Sequence, residues 1–225
     1  MPNDPLPALI SDLDTPCLIL DLARLRQNID RLYARLTPLG VHLRPHLKTV
    51  KSLDIARLLV EELYGPATVS TLKEAESFAE GGITDLLYAV GIAPQKLDRV
   101  GRIRDRYRAD LAVVLDSIDQ AYAVANWSRA HQEHLPVLIE IDVDGHRSGV
   151  QPGETDKLIQ IGRILHDGGA ELRGVMAHAG GSYGLFEADD LAKAADAERA
   201  ATVRAAEALR GACLLYTSDA ADEDC

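Results

Sequence analysis

The chain has 225 residues, 47% of them hydrophobic and 26% charged, the balance of an ordinary globular protein and not of a disordered or fibrous one. A formal net charge of -11 argues against nucleic acid as a partner, because phosphate binding needs clustered Lys and Arg. No apolar run approaches the roughly 18 residues of a membrane-spanning helix, so no membrane partner is expected.

Taken in chain order, short β-branched runs alternate with longer stretches of helical periodicity. The predicted strands cover residues 17–20, 41–48, 67–72, 85–90, 109–115, 137–143 and 172–178. The predicted helices cover 22–36, 52–62, 72–80, 94–107, 117–134, 154–166 and 188–210. In the first helix the apolar residues Leu22, Leu25, Ile29, Leu32 and Leu36 recur at helical spacing. Thr71 with Glu74 reads as a capping box that starts another. Strand–helix alternation of this regularity predicts an α/β fold with a parallel sheet and helical crossovers.

One strand decides between the two parallel architectures. A doubly wound sheet, buried on both faces, prefers continuous apolar strands. In 137–143, Glu140 and Asp142 lie opposite the face of Ile139, Ile141 and Val143. Polar groups inside the C-terminal ends of strands suit a (β/α)8 TIM-type barrel with its site at that mouth. Setting 17–20 aside, about six β/α units are present where eight would close a barrel. The expectation is therefore a barrel truncated after about six units.

The most chemical stretch is Arg44-Pro45-His46-Leu47-Lys48-Thr49. Read as an extended strand, His42, Arg44, His46 and Lys48 share one face. Such a basic row is either a solvated edge or a set of cations that lowers the pKa of a nucleophilic, imine-forming lysine. Two further motifs stand at predicted strand ends: Glu140-Ile141-Asp142-Val143-Asp144-Gly145-His146-Arg147-Ser148-Gly149-Val150, and Gly174-Val175-Met176-Ala177-His178-Ala179-Gly180-Gly181-Ser182-Tyr183.

With these motifs in this order, joined by Val69-Ser70-Thr71-Leu72-Lys73-Glu74-Ala75-Glu76 and Asp85-Leu86-Leu87-Tyr88-Ala89-Val90-Gly91-Ile92, the chain resembles the pyridoxal-phosphate enzymes of the alanine-racemase-like barrel. Within them it is most similar to the D-threonine aldolase and eukaryotic-type D-serine dehydratase family, from about Asp14 to Arg210. The resemblance implies pyridoxal 5'-phosphate as cofactor and Lys48 as the catalytic Schiff-base lysine. It implies Arg147 at the cofactor's phenolic oxygen, His178 beside the pyridine ring, and Ser182 and Tyr183 in a loop close to cofactor and substrate. The implied activity is that of a lyase on small β-hydroxy D-amino acids, with a homodimeric full-length protein. An amino-acid racemase is the alternative enzyme, and a non-catalytic cofactor carrier the alternative from another class.

The chain also departs from the family pattern. Many relatives carry a second histidine after the lysine, where this chain has Lys48-Thr49-Val50-Lys51. The family's Gly-rich phosphate loop and the His and Cys ligands of its divalent metal (Zn or Mn) belong to later segments that this text does not contain, so no metal ligand is assigned. Residues 213–225 read as a non-native tail resembling a translated sequencing adapter, and residues 1–212 as an incomplete barrel domain expected to be inactive by itself. The tail's four acids leave -7 on the rest of the chain. Residues 1–16 lack the basic and apolar regions of a secretory signal. Cys17, Cys213 and Cys225 form no close pair, against a disulfide framework or a zinc knuckle. A cytoplasmic setting is the expectation.

Overall fold

The computed structural model describes residues 9–60 and 62–215. The chain divides into two compact units, Met1–Leu43 and Arg44–Cys225.

In the first unit, α1 (Leu22–Leu36) has the bounds its apolar spacing predicts. Asp21 caps it by accepting from the Arg24 N–H at 3.0 Å, which satisfies one of the four unpaired donors of a helix start. A 3-10 turn, Thr37–Leu39, follows and stops at Gly40, whose φ of 65° suits glycine. Residues 17–20 are in no strand, contrary to expectation. A four-residue apolar run carries too little pattern to separate a strand from a connecting segment.

The second unit holds a parallel sheet of β1 (Ala67–Val69), β2 (Asp85–Gly91), β3 (Asp110–Leu115), β4 (Pro136–Ile141) and β5 (Glu171–Ala177). Between and after them lie α3 (Leu72–Glu80), α4 (Leu97–Tyr107), α5 (Ile118–His131), α6 (Thr155–Asp167) and α7 (Ala188–Gly211), with α2 (Leu53–Leu59) ahead of β1. The strands are hydrogen-bonded in chain order, with no reversal at which a doubly wound sheet would switch direction. The expected capping box is present: Thr71 Oγ1 accepts from the Glu74 N–H, and the Glu74 carboxylate accepts from the Thr71 N–H.

Burial separates the two faces of this sheet. The main core joins outward strand residues such as Val113, Val137 and Ile139 to helix residues such as Val100, Val124 and Ile161. The other face carries a small cluster made only of strand residues: Leu87, Ala112 and Val114, with Ala89, Leu138 and Met176 beside them. Helices therefore take one face alone, which is the layering of a barrel wall. On the helix side packing is close. A Cβ on Gly101 of α4 would stand 2.5 Å from Trp127 Cζ2 of α5, and the Trp127 indole N–H donates to Asp98 at 3.0 Å. Leu214 and Leu215, at the start of the segment read as a tail, lie buried in the main core, while the rest of that segment, 216–225, is outside the described residues.

Along β4 the faces alternate as the sequence reading requires. Val137, Ile139 and Ile141 point to the helices, and Leu138 and Glu140 point inward. At the opposite, N-terminal rim, Arg173 of β5 reaches past β4 to Asp110 of β3 (2.6 Å) and also holds Glu171 (3.0 Å), with Arg104 3.7 Å from the same Asp110.

Glu140 is 8% exposed and Asp142 5%. Burial first, and then the Asp116 carboxylate, push the Glu140 carboxyl up to about 7, with Arg147 pulling against them and Asp142 adding to the rise. Its reference value is 4.5, so between these two pH values the folded chain binds a proton that the unfolded chain has released. The stability associated with that proton is complete below about 4.5 and is lost as pH rises through about 7. Glu140→Gln should therefore raise stability at pH 8 by on the order of 2 kcal/mol and leave it nearly unchanged at pH 5. Urea midpoints of both proteins at the two pH values measure this; an equal effect at both would show that the carboxyl is not held neutral by its surroundings.

Candidate functional site

The lysine motif is not the strand its alternation suggested. Only a parallel bridge between His46 and Thr68 forms, closed by Leu47 N–H to Thr68 O and Thr68 N–H to Pro45 O, each 2.8 Å. The chain then turns over residues 47–50, the Lys51 N–H donates to Leu47 O at 3.1 Å, and Lys51 takes a φ of 44°. Leu47, fully buried, anchors the turn and leaves Lys48 exposed. The four-residue basic row is also broken. Arg44 pairs with Asp85 at 2.8 Å and reaches the Ala67 carbonyl at 3.3 Å, toward the start of β1 and β2. A nearby carboxylate, invisible in the local alternation, claims it.

What gathers around Lys48 comes from elsewhere in the chain. The His46 ring lies 3.3 Å from the Lys48 N–H and 3.2 Å from the Ser70 hydroxyl. Burial, followed by the positive charge of Lys48, holds His46 below the ordinary imidazole range. His178, one residue past β5, is lowered in the same direction by burial, then by Arg147 and Lys48, with Glu198 and Asp144 opposing. Lys48, His46, His178 and Arg147 thus form one electrostatic neighbourhood at the C-terminal ends of the strands. Among the described residues no group of three or more His, Cys, Asp or Glu is arranged to hold a metal ion.

Arg147 is presented by a loop that folds back on its own strand. The Asp142 N–H donates to Val150 O (3.1 Å) and the Val150 N–H to Glu140 O (2.8 Å). Inside that loop the Asp142 carboxylate accepts from the N–H groups of Gly145 (3.0 Å) and Arg147 (3.3 Å), and Asp116 accepts from Gly149 (2.9 Å). Gly149 has a φ of 139°, and a Cβ there would collide with the Asp142 backbone, so both conformation and space require glycine. The Arg147 stem lies against Gly180, where an added Cβ would come within 2.8 Å of Cδ.

The loop after β5 is fixed to the same region. The Gly181 N–H donates to Asp144 at 2.7 Å, which holds that partly buried carboxylate below its usual range, and the Ala179 N–H donates to Glu198 of α7 at 3.3 Å. Tyr183 is 71% exposed, and its hydroxyl lies 3.3 Å from His178 Nε2, the rings edge-on at 5.8 Å. The Ser182 hydroxyl donates to the Ala179 carbonyl at 2.9 Å and stabilises its own turn. Of the five residues named from sequence, the structure brings together Lys48, Arg147, His178 and Tyr183. Asp116, Glu140, Asp142 and His46, which sequence reasoning left out of the site, support them. The sequence signals were the polar inward positions of 137–143 and the Asp142-x-x-Gly145 turn spacing.

Comparison with known proteins agrees with this fold. D-threo-3-hydroxyaspartate dehydratase of Delftia sp. (strain HT23) is 48% identical over 202 residues, which is 90% of this chain and 53% of that protein. Its solved structure superposes with a TM-score of 0.87, covering 90% of this chain and 53% of that one. D-serine dehydratase of Dictyostelium discoideum is 31% identical over 192 residues, 77% of this chain and 47% of that protein. The structure of D-threonine aldolase from Filomicrobium marinum, 27% identical, gives a TM-score of 0.80 over 90% of this chain and 54% of that one. The chain spans about half the length of the curated relatives it matches. The model of the alanine racemase N-terminal domain matches residues 20–219, so the chain belongs to the alanine racemase N-terminal domain family.

Proposed function

We propose that the protein is a pyridoxal-phosphate-dependent lyase acting on β-hydroxy D-amino acids, with dehydration of an acidic substrate of the 3-hydroxyaspartate kind as the foremost reaction. The observation that carries the reading is the convergence of the Lys48 amine, two imidazoles of lowered basicity and Arg147 at one strand-end rim. The 48% identity to a D-threo-3-hydroxyaspartate dehydratase supports the substrate class.

The residues present fit the cofactor. An aldehyde needs an accessible amine, and Lys48 is exposed at the rim. A pyridine ring is best flanked by an uncharged flat group, and burial with the neighbouring cations favours the neutral form of His178. An anionic ring oxygen needs a fixed cation, and Arg147 is held by its backbone on Asp142 and by its stem on Gly180. When bound, pyridoxal phosphate supplies the electron sink for carbanion chemistry at the substrate α-carbon.

The chain's own groups then have distinct work. Lys48 anchors the cofactor and, as the free amine, takes the proton from the substrate α-carbon. Arg147 keeps the ring oxygen negative, and the Tyr183 hydroxyl restrains His178. The first places charge before the reaction begins, and the second fixes the orientation of a neutral ring.

Borohydride treatment of the protein with pyridoxal phosphate should fix the label on a peptide containing Lys48, and Lys48→Arg should keep the fold while abolishing labelling, because guanidinium stays protonated. Peptide mapping that places the label on Lys51 or Lys73 would sink the assignment.

Arg147→Ala should weaken cofactor binding by an amount on the order of the 1.5–3 kcal/mol of a hydrogen bond to a charged group. Its side chain is exposed, so unfolding free energy should change by no more than about 0.5 kcal/mol. A large loss of stability with unchanged cofactor affinity would make Arg147 structural.

A further inference from the structure

We propose that His46, in its neutral Nε2–H tautomer, is the positioning residue for Lys48, tying the backbone of the lysine turn to the start of α3. Hydrogen-bond polarity carries the assignment. The Lys48 backbone N–H can only donate, and it lies 3.3 Å from His46 Nδ1, so Nδ1 is the acceptor. A neutral imidazole has one acceptor and one donor, which leaves the proton on Nε2, directed at the Ser70 hydroxyl oxygen 3.2 Å away.

Ser70 is itself held. Its N–H donates to Glu74 Oε2 at 2.8 Å, the same carboxylate oxygen that accepts from the Thr71 N–H in the capping box. The other oxygen, Oε1, lies 3.5 Å from Lys51 Nζ. Both ends of the turn, His46 and Lys51, therefore meet one helix N-terminus. The side chain of Lys48 takes no part in these ties and stays free to react, while the backbone that carries it is held. The same polarity excludes a nucleophilic serine: activation of Ser70 would need an unprotonated Nε2, and here that nitrogen carries the proton.

Charge around the ring agrees with a neutral imidazole. Lys48 on the turn and His178 beyond β5 disfavour a proton on His46, burial disfavours it most, and Glu74 on α3 and the Thr68 backbone partly oppose them. A second ring proton would put an N–H at Nδ1 against the Lys48 N–H, donor facing donor, and the tie would open. The tie is thus intact at neutral pH and is lost as pH falls through the lowered pKa of His46, below the ordinary 6.5.

The proposal rests on the reading of Lys48 as the cofactor lysine, and its test separates the two. Nitrogen-15 NMR of the imidazoles in the apoprotein, with His46 identified by the signal missing from His46→Asn, should show the Nε2–H tautomer titrating below 6.5. An Nδ1–H tautomer, or protonation at or above that value, overturns the tie whatever the cofactor does. Pyridoxal phosphate titrations followed by absorbance should then show His46→Leu binding about tenfold more weakly, the scale of one lost hydrogen bond. His46→Asn, whose side-chain oxygen replaces the Nδ1 acceptor, should recover most of that loss and should show a smaller acid-side fall in affinity than the wild type, the remainder belonging to His178. Equal weakening in both variants would overturn the positioning role. Failure of the wild type to take up pyridoxal phosphate at Lys48 would end the functional reading, and the tautomer alone would then decide whether His46 holds the turn.

Discussion

Parallel pairing in chain order constrains everything else in this protein. Strands that all run one way, each beside its predecessor, bring their C-terminal ends to a single rim. The bridge at His46, the loop after β4 and the loop after β5 all emerge there. Residues 46, 147 and 178 thereby become neighbours although some hundred positions separate the first from the second. The helices complete the constraint by occupying only the opposite face, so polar groups can gather on the inner one without disturbing the main core.

That inner face is organised by opposite charge at different depths. The carboxylates of Asp116, Glu140 and Asp142 lie at the strand ends, and two of them, Asp116 and Asp142, accept backbone N–H groups of the loop that carries Arg147. Arg147 itself stays exposed above them, coupled to His178 and pulling against the neutral state of Glu140. Acids whose hydrogen-bonding capacity goes to shaping a loop leave the cation they support available to a ligand. The arrangement stores a cost in Glu140, which is held protonated toward neutral pH.

Much of this is legible in the sequence. Helices with a strong apolar stripe or a capping signal kept their bounds, as in α1 and α3, because those signals are local. The barrel wall was legible from Glu140 and Asp142, since a polar residue alternating with Ile139 and Ile141 has few other places to go. The lysine segment was misread where the deciding forces were distant. Arg44 left the supposed row for Asp85, and a buried Leu47 turned the chain before alternation could continue. The supporting role of His46 was hidden for the same reason, because Ser70 and Glu74 belong to the next strand–helix unit. Ser182 lies in the expected loop, where its hydroxyl donates to the loop's own backbone.

The two rims of the sheet differ in how they respond to salt. At the N-terminal rim, Arg173 spans β4 to grip Asp110 with charges about half shielded by protein, so added salt screens that grip only partly. At the other rim the loops are fixed largely by carboxylates that receive backbone N–H groups, short directional bonds that depend little on ionic strength. Added salt therefore loosens part of the clasp at the base while leaving the loop geometry at the chemical rim in place: the sheet has a salt-indifferent mouth on a salt-sensitive base.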